Sequence, residues 1–104
     1  MSPTKLMRHL GTWSELTACR RLLEQDWEVF RNIAPNGPID LVAVRAVNGH
    51  IEIMLLAVKT GRPWYEELSV EQQALGVQTF VVKTTGECRI PEKSLIKRRR
   101  YALR

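Results

Sequence analysis

Between Thr12 and Gln25 the apolar residues Leu16, Cys19, Leu22 and Leu23 fall on one helical face with Arg20, Arg21 and Glu24 opposite, which predicts an amphipathic helix. From Trp27 the period shortens. WEVFRNIA (27–34) alternates as a half-buried strand does, PNGP supplies turn residues, and a second strand is expected from Ile39 to about Ala46. Asn48-Gly49 is the dipeptide of a tight hairpin turn. The stretch HIEIMLLAVKT (50–60) that follows is apolar on both parities from Ile53 to Val58, the mark of a central strand covered on both faces. YEELSVEQQALG suits a short helix ending at Gly76, TFVVKT a fourth strand, and a weak last strand falls near Cys88 to Ile90. The expected order is αβββαβ, an α/β fold with a mixed central sheet flanked by helices.

Composition narrows the class. A chain of 104 residues, 44% apolar and 26% charged, is expected to form one domain over residues 1–104. A domain of this size buries about two thirds of its unfolded surface, which favours a homodimer. Sixteen Lys and Arg against eleven Asp and Glu give a net charge of +5, and such a surface suits a polyanion, nucleic acid first. The run Lys97 to Arg100 followed by YALR reads as a basic C-terminal tail, 97–104. Cys19 and Cys88 form no CxxC or metal-finger spacing, so reduced thiols and a cytoplasmic protein are expected. No stretch approaches the eighteen or so apolar residues of a membrane span, and no membrane partner is expected.

Three charged residues stand out against the pattern. Glu15 falls inside the apolar arc of the first helix, and Thr12-Trp-Ser-Glu15 also fits a capping box in which the glutamate folds back on the cap residue. Asp40 opens a strand, where aspartate is depleted and an unpaired buried carboxylate is costly. It needs either turn amides from NGPID or a cation. Lys59 closes the most apolar strand on the parity of Ile53, Leu55 and Ala57, and can reach water or a polar pocket. Two carboxylates and a lysine at adjacent element ends are the parts of a divalent-metal phosphodiester site.

The segments GTWSEL, GPIDLVAV and IMLLAVKTG, in that order, resemble the PD-(D/E)XK nuclease superfamily, in particular its small Holliday-junction-resolvase-like or homing-endonuclease-like members. The resemblance covers about residues 11–84 in element order. It implies a restriction-endonuclease-like core in which Glu15 matches the helix glutamate, Asp40 the motif aspartate and Lys59 the motif lysine. LSVEQQ resembles the following helix, with Gln72 at the position that lines the site. A solvated helix residue is the alternative for Gln72.

Two differences from the pattern are visible. PID carries one inserted residue, and Ala57 stands where the second acidic residue belongs, so the motif reads AVK. This describes a chain outside the family, a naturally degenerate or rearranged nuclease, or one whose catalytic glutamate was replaced. Glu52 lies on the wrong parity to substitute, whereas Glu71, placed with Leu68, Ala74 and Leu75, is a candidate for a migrated carboxylate. The implied activity is metal-dependent hydrolysis of DNA phosphodiester bonds, with Mg²⁺ or Mn²⁺ on Glu15 and Asp40 activating a water and Lys59 offsetting charge. The alternative is a non-catalytic nucleic-acid-binding module that keeps the fold. Phosphate contacts to duplex or branched DNA are assigned to Arg8, Arg62, Lys97, Arg98, Arg99 and Arg100. Trp64 and Tyr65 suit base stacking or dimer packing equally.

Overall fold

The computed structural model describes residues 3–34, 37–61, 68–89 and 99–102, with the backbone alone for 3–8 and 99–102. Helix α1 (Pro3–Glu24) is followed by β1 (Glu28–Arg31), β2 (Leu41–Val47), β3 (His50–Thr60), α2 (Val70–Leu75), β4 (Gln78–Val82), β5 (Cys88–Arg89) and β6 (Arg99–Ala102). The strands form one mixed sheet in the order β1-β2-β3-β4-β5, with β6 also on β3. β3 is central, as its apolar run predicts. β2 lies antiparallel along it from Val47↔His50 to Leu41↔Leu56. On its other side β4 runs parallel beside Leu56 to Thr60, and β6 runs antiparallel beside His50 to Ile53.

The hairpin between β2 and β3 turns on Asn48 and Gly49, both with positive φ (50° and 78°), a conformation that Asn and Gly adopt at least cost. Helix α2 has a complete capping box: Ser69 accepts from the Gln72 amide, and the Gln72 side chain accepts from the Ser69 amide. It stops at Gly76, left-handed at φ 75°. This helix begins five residues later than the sequence pattern from Tyr65 suggests, because Ser69 caps it.

Two readings of α1 need correction. The helix begins at Pro3, not Thr12, so Thr12 is mid-helix with its amide inside the helical ladder, and the capping role for Glu15 is lost. Proline is well placed in a first turn, where its missing N–H has no intrahelical partner. The buried face is also shifted. Leu22 is buried and Cys19 packs against the core as expected, but Ser14 and Ala18 join them against the sheet, whereas Leu16 and Leu23 are exposed. Small residues at 14 and 18 let the helix approach the strands closely enough for the Ser14 hydroxyl to hydrogen-bond that of Thr60 on β3. The C-terminus closes with Asp26 in the left-handed region at φ 66°, its amide bonded to Leu23 O at 3.1 Å and that of Trp27 to Leu22 O at 3.1 Å, a Schellman arrangement with aspartate in the usual glycine place.

One cluster joins α1 to the sheet: Ala18, Leu22, Trp27, Leu41, Ala43, Met54, Leu56, Phe80 and Val82. The even positions of β3 therefore face α1, and the odd ones, Ala57 and Lys59 among them, face away. Residues 99–102, expected as part of a tail, are strand β6, paired Ile53↔Arg99 through His50↔Ala102.

Candidate functional site

Asp40 stands at the end of β2, one step beyond the last paired residues Leu41 and Leu56. Its amide donates to Leu56 O at 2.8 Å, and its Oδ2 accepts from the Val58 amide at 2.7 Å. These two bonds bracket Ala57 on β3. The aspartate ends the β2–β3 ladder by supplying a carboxylate oxygen where a strand carbonyl would otherwise accept. Backbone amides thus do satisfy Asp40, as the turn alternative required, but the donor comes from β3 and not from NGPID. Asp40 also accepts at its main-chain O from Asn32 at 3.0 Å, and the Asn32 side chain donates to Ile39 O at 2.8 Å. The segment carrying the carboxylate is held from both sides.

Ala57 is 1% exposed and is flanked on β4 by Thr79. Lys59, two residues on along the same strand face, is half-buried. Gln72 is brought to the same end of the sheet: its Nε2 donates to Pro38 O at 3.0 Å, two residues before Asp40. The solvated alternative for Gln72 gives way to a half-buried side chain that caps α2 and clamps the Asp40 segment. Four positions that the sequence resemblance singles out, Asp40, Ala57, Lys59 and Gln72, therefore share one end of the sheet.

Glu15 is held elsewhere. It sits on the flank of α1 over β1, where its Oε2 lies 3.5 Å from Nη2 of Arg31. Arg31 pairs with Leu41 across β1–β2, so this ion pair is on the α1 face of the sheet, and Ala57 and Lys59 face the other way. Sequence periodicity misses Arg31 altogether, because it depends on where β1 docks. Burial raises the Cys19 thiol above its ordinary 9.0, with Arg31 pulling down and Glu15 pushing up, a shift that favours the neutral thiol.

Glu71, offered as a migrated carboxylate in an apolar arc, is exposed. Helix α2 is one and a half turns long and its own capping consumes the inward side chain, Gln72. Glu52, on the wrong parity for the motif, is buried and paired with Arg45 at 3.2 Å, and Arg45 stacks 4.1 Å above the Trp27 ring. This charge pair belongs to the α1 side and to the opposite end of β3. Arg62, Trp64, Tyr65, Lys97 and Arg98 lie outside the described residues, and for Arg8, Arg99 and Arg100 the backbone alone is described.

The donor set for a metal is small. Among the described residues no three His, Cys, Asp or Glu side chains cluster as a metal site. Asp40, whose Oδ2 already accepts from the Val58 amide, brings one carboxylate to this end of the sheet. One carboxylate fits a loosely held, largely hydrated Mg²⁺ or Mn²⁺ and does not fit a tightly chelated one. Compared with family models, curated proteins and solved structures, the chain finds no match.

Proposed function

We propose that this chain is a metal-dependent DNA endonuclease of the PD-(D/E)XK kind whose hydrolytic step is crippled by alanine at position 57. The observation that supports the reading is the bracket around Ala57. Asp40 bonds to the residues on either side of it, Lys59 follows on the same strand face, and Gln72 fastens the segment from behind. A glutamate at 57 would stand beside Asp40 and supply the second carboxylate that a divalent ion lacks here. Asp40 would hold a hydrated Mg²⁺ or Mn²⁺, which when bound activates water and offsets charge on the phosphoryl group. Lys59 contributes a compact positive charge next to the scissile phosphate, and its neighbour Val58 fixes its direction by packing into the core. The basic surface holds the backbone of the substrate without reading its bases.

The test is nicking of supercoiled and branched DNA with Mg²⁺ and Mn²⁺. The native chain is expected to cut poorly or not at all, and Ala57→Glu to raise the rate by about a hundredfold, the size of a few kcal/mol of transition-state stabilisation. Asp40→Asn in the Ala57→Glu background should remove the gain. A second readout is independent of cutting: Ala57→Glu buries a carboxylate beside Asp40, so it should melt lower than the native chain without metal and recover on adding Mg²⁺. A folded Ala57→Glu protein that neither cuts nor responds to Mg²⁺ counts against the nuclease reading. The second reading, a nucleic-acid-binding module without chemistry, is favoured by the Glu15–Arg31 ion pair, which occupies the carboxylate that an active site would need.

A further inference from the structure

Of the five large apolar side chains exposed among the described residues, Val70 is on α2 and the other four are on α1 and at β1. Leu16 and Leu23 on α1 are 52% and 58% exposed, Phe30 on β1 is 56% and Ile33 just beyond it 98%. Concentrated apolar exposure of this kind marks an interaction surface. β1 ends the strand path, so its outer edge meets no strand among the described residues. Which main-chain groups point outward follows from Asn32, whose amide donates inward to Asp40 O on the β2 side. By the alternation of antiparallel ladders, Phe30 and Glu28 also turn inward, and Val29 and Arg31 turn their N–H and C=O groups out.

This edge is complementary to itself. A two-fold axis perpendicular to the sheet, passing between two Phe30 residues, sets Val29 opposite Arg31 of a second copy. The outward N–H and C=O of each then bond those of the other, and symmetry repeats the pair on the far side of the axis. Phe30 faces its own copy in a non-hydrogen-bonded pair, the arrangement in which opposed side chains are closest and aromatic contact is favourable. The same axis keeps both α1 helices on one face of the joined sheet. Glu15 points to Arg31 over β1, and Cys19 and Leu23 follow Glu15 at four-residue steps up that flank, with Leu16 beside them. The leucines of the two helices therefore border the seam on one face, and the phenylalanines fill it on the other.

We propose that two copies of this chain associate through β1, forming one continuous sheet about an axis at Phe30. The occupant is a second copy because pairing satisfies every outward group of Val29 and Arg31 in register and covers apolar side chains on both faces at once. The charge of Arg31 is already engaged by Glu15, so little repulsion opposes the seam. This inference does not depend on the nuclease reading.

Sedimentation over a range of concentrations tests it. The native chain should show a reversible monomer–dimer equilibrium. Phe30→Glu, which sets like charges opposite each other on the axis, should raise the dissociation constant about tenfold or more. Leu23→Lys alters an exposed side chain that the core does not use, so it should weaken the dimer with an unchanged circular dichroism spectrum and, at concentrations where both proteins are monomeric, an unchanged melting curve. Phe30→Cys should give a disulfide-linked dimer under mild oxidation, with peptide mapping placing the bridge between the two introduced thiols, because opposed non-hydrogen-bonded positions satisfy disulfide geometry. A native chain that stays monomeric at every concentration overturns the proposal. So does a dimer unaffected by Leu23→Lys and Phe30→Glu, or one whose oxidised Phe30→Cys form is bridged elsewhere.

Discussion

Asp40 has two jobs that ordinary mutagenesis would confuse. It terminates the β2–β3 ladder through the Val58 amide, and it presents a charge at the end of the sheet. Asparagine separates them: its carbonyl oxygen still accepts from Val58, but the charge is gone. Asp40→Asn should therefore cost under about 1 kcal/mol of unfolding free energy, whereas Asp40→Ala, which leaves the Val58 amide without its acceptor, should cost about 1–3 kcal/mol. Chemical denaturation of both variants measures the difference. Equal costs would mean that the hydrogen bond to Val58 contributes little. The oddity of an aspartate between PI and LVAV is legible in the sequence, because strand chemistry disfavours it there. Its donor is not, since Val58 lies eighteen positions away and comes alongside only when the β2–β3 hairpin closes. Glu15 misleads for a related reason. TWSE has the letters of a capping box, but the helix passes through it and the carboxylate finds Arg31 instead.

At the scale of elements, β3 from His50 to Thr60 is legible in full, because apolar residues on both parities and a preceding Asn-Gly leave little choice. β2 and β4 fall within two residues or so of the ends the pattern predicts. The face of α1 is only half legible. Counting large apolar residues points to Leu16, Cys19, Leu22 and Leu23, of which Leu22 is buried and Cys19 packs against the core, but the sheet also selects Ser14 and Ala18, where small side chains permit close approach, and leaves Leu16 and Leu23 exposed. Hydrophobic periodicity measures side-chain character and is blind to the separation between layers. The true start of α1 at Pro3 carries a consequence for Gly11, which now lies well inside a helix. A Cβ added there meets nothing within 4 Å, and glycine in a helix interior costs roughly 1 kcal/mol relative to alanine. Gly11→Ala should stabilise the protein by about 0.5–1 kcal/mol and raise the melting temperature by a few degrees. Calorimetry checks this, and no rise would show that α1 is not continuous through residue 11.

For the molecule as a whole, charge is the property that points outward. No helix among the described residues is long and apolar enough to cross a membrane, and the net charge of +5 remains the strongest guide to a partner. If phosphates are that partner, binding of duplex or branched DNA should fall steeply with salt. Replacing Lys97, Arg98, Arg99 and Arg100 by glutamine should flatten the log–log slope by about 0.9 for each phosphate that is no longer neutralised. Binding that ignores salt would point to a protein partner. Strand β6 is hidden from the sequence by that same basic run: KRRRYALR has the composition of a solvated end, but Arg99–Ala102 within it pairs with β3 through main-chain bonds that composition does not register. The sheet has one further consequence for how the molecule comes apart. β3 is bonded along one edge to β2 and along the other to β4 and β6, so its amides cannot meet solvent until most of the sheet has opened. Their deuterium exchange should run at the rate set by global unfolding, whereas α2, six residues long and fastened to the Asp40 segment through Gln72, can open by itself and exchange sooner.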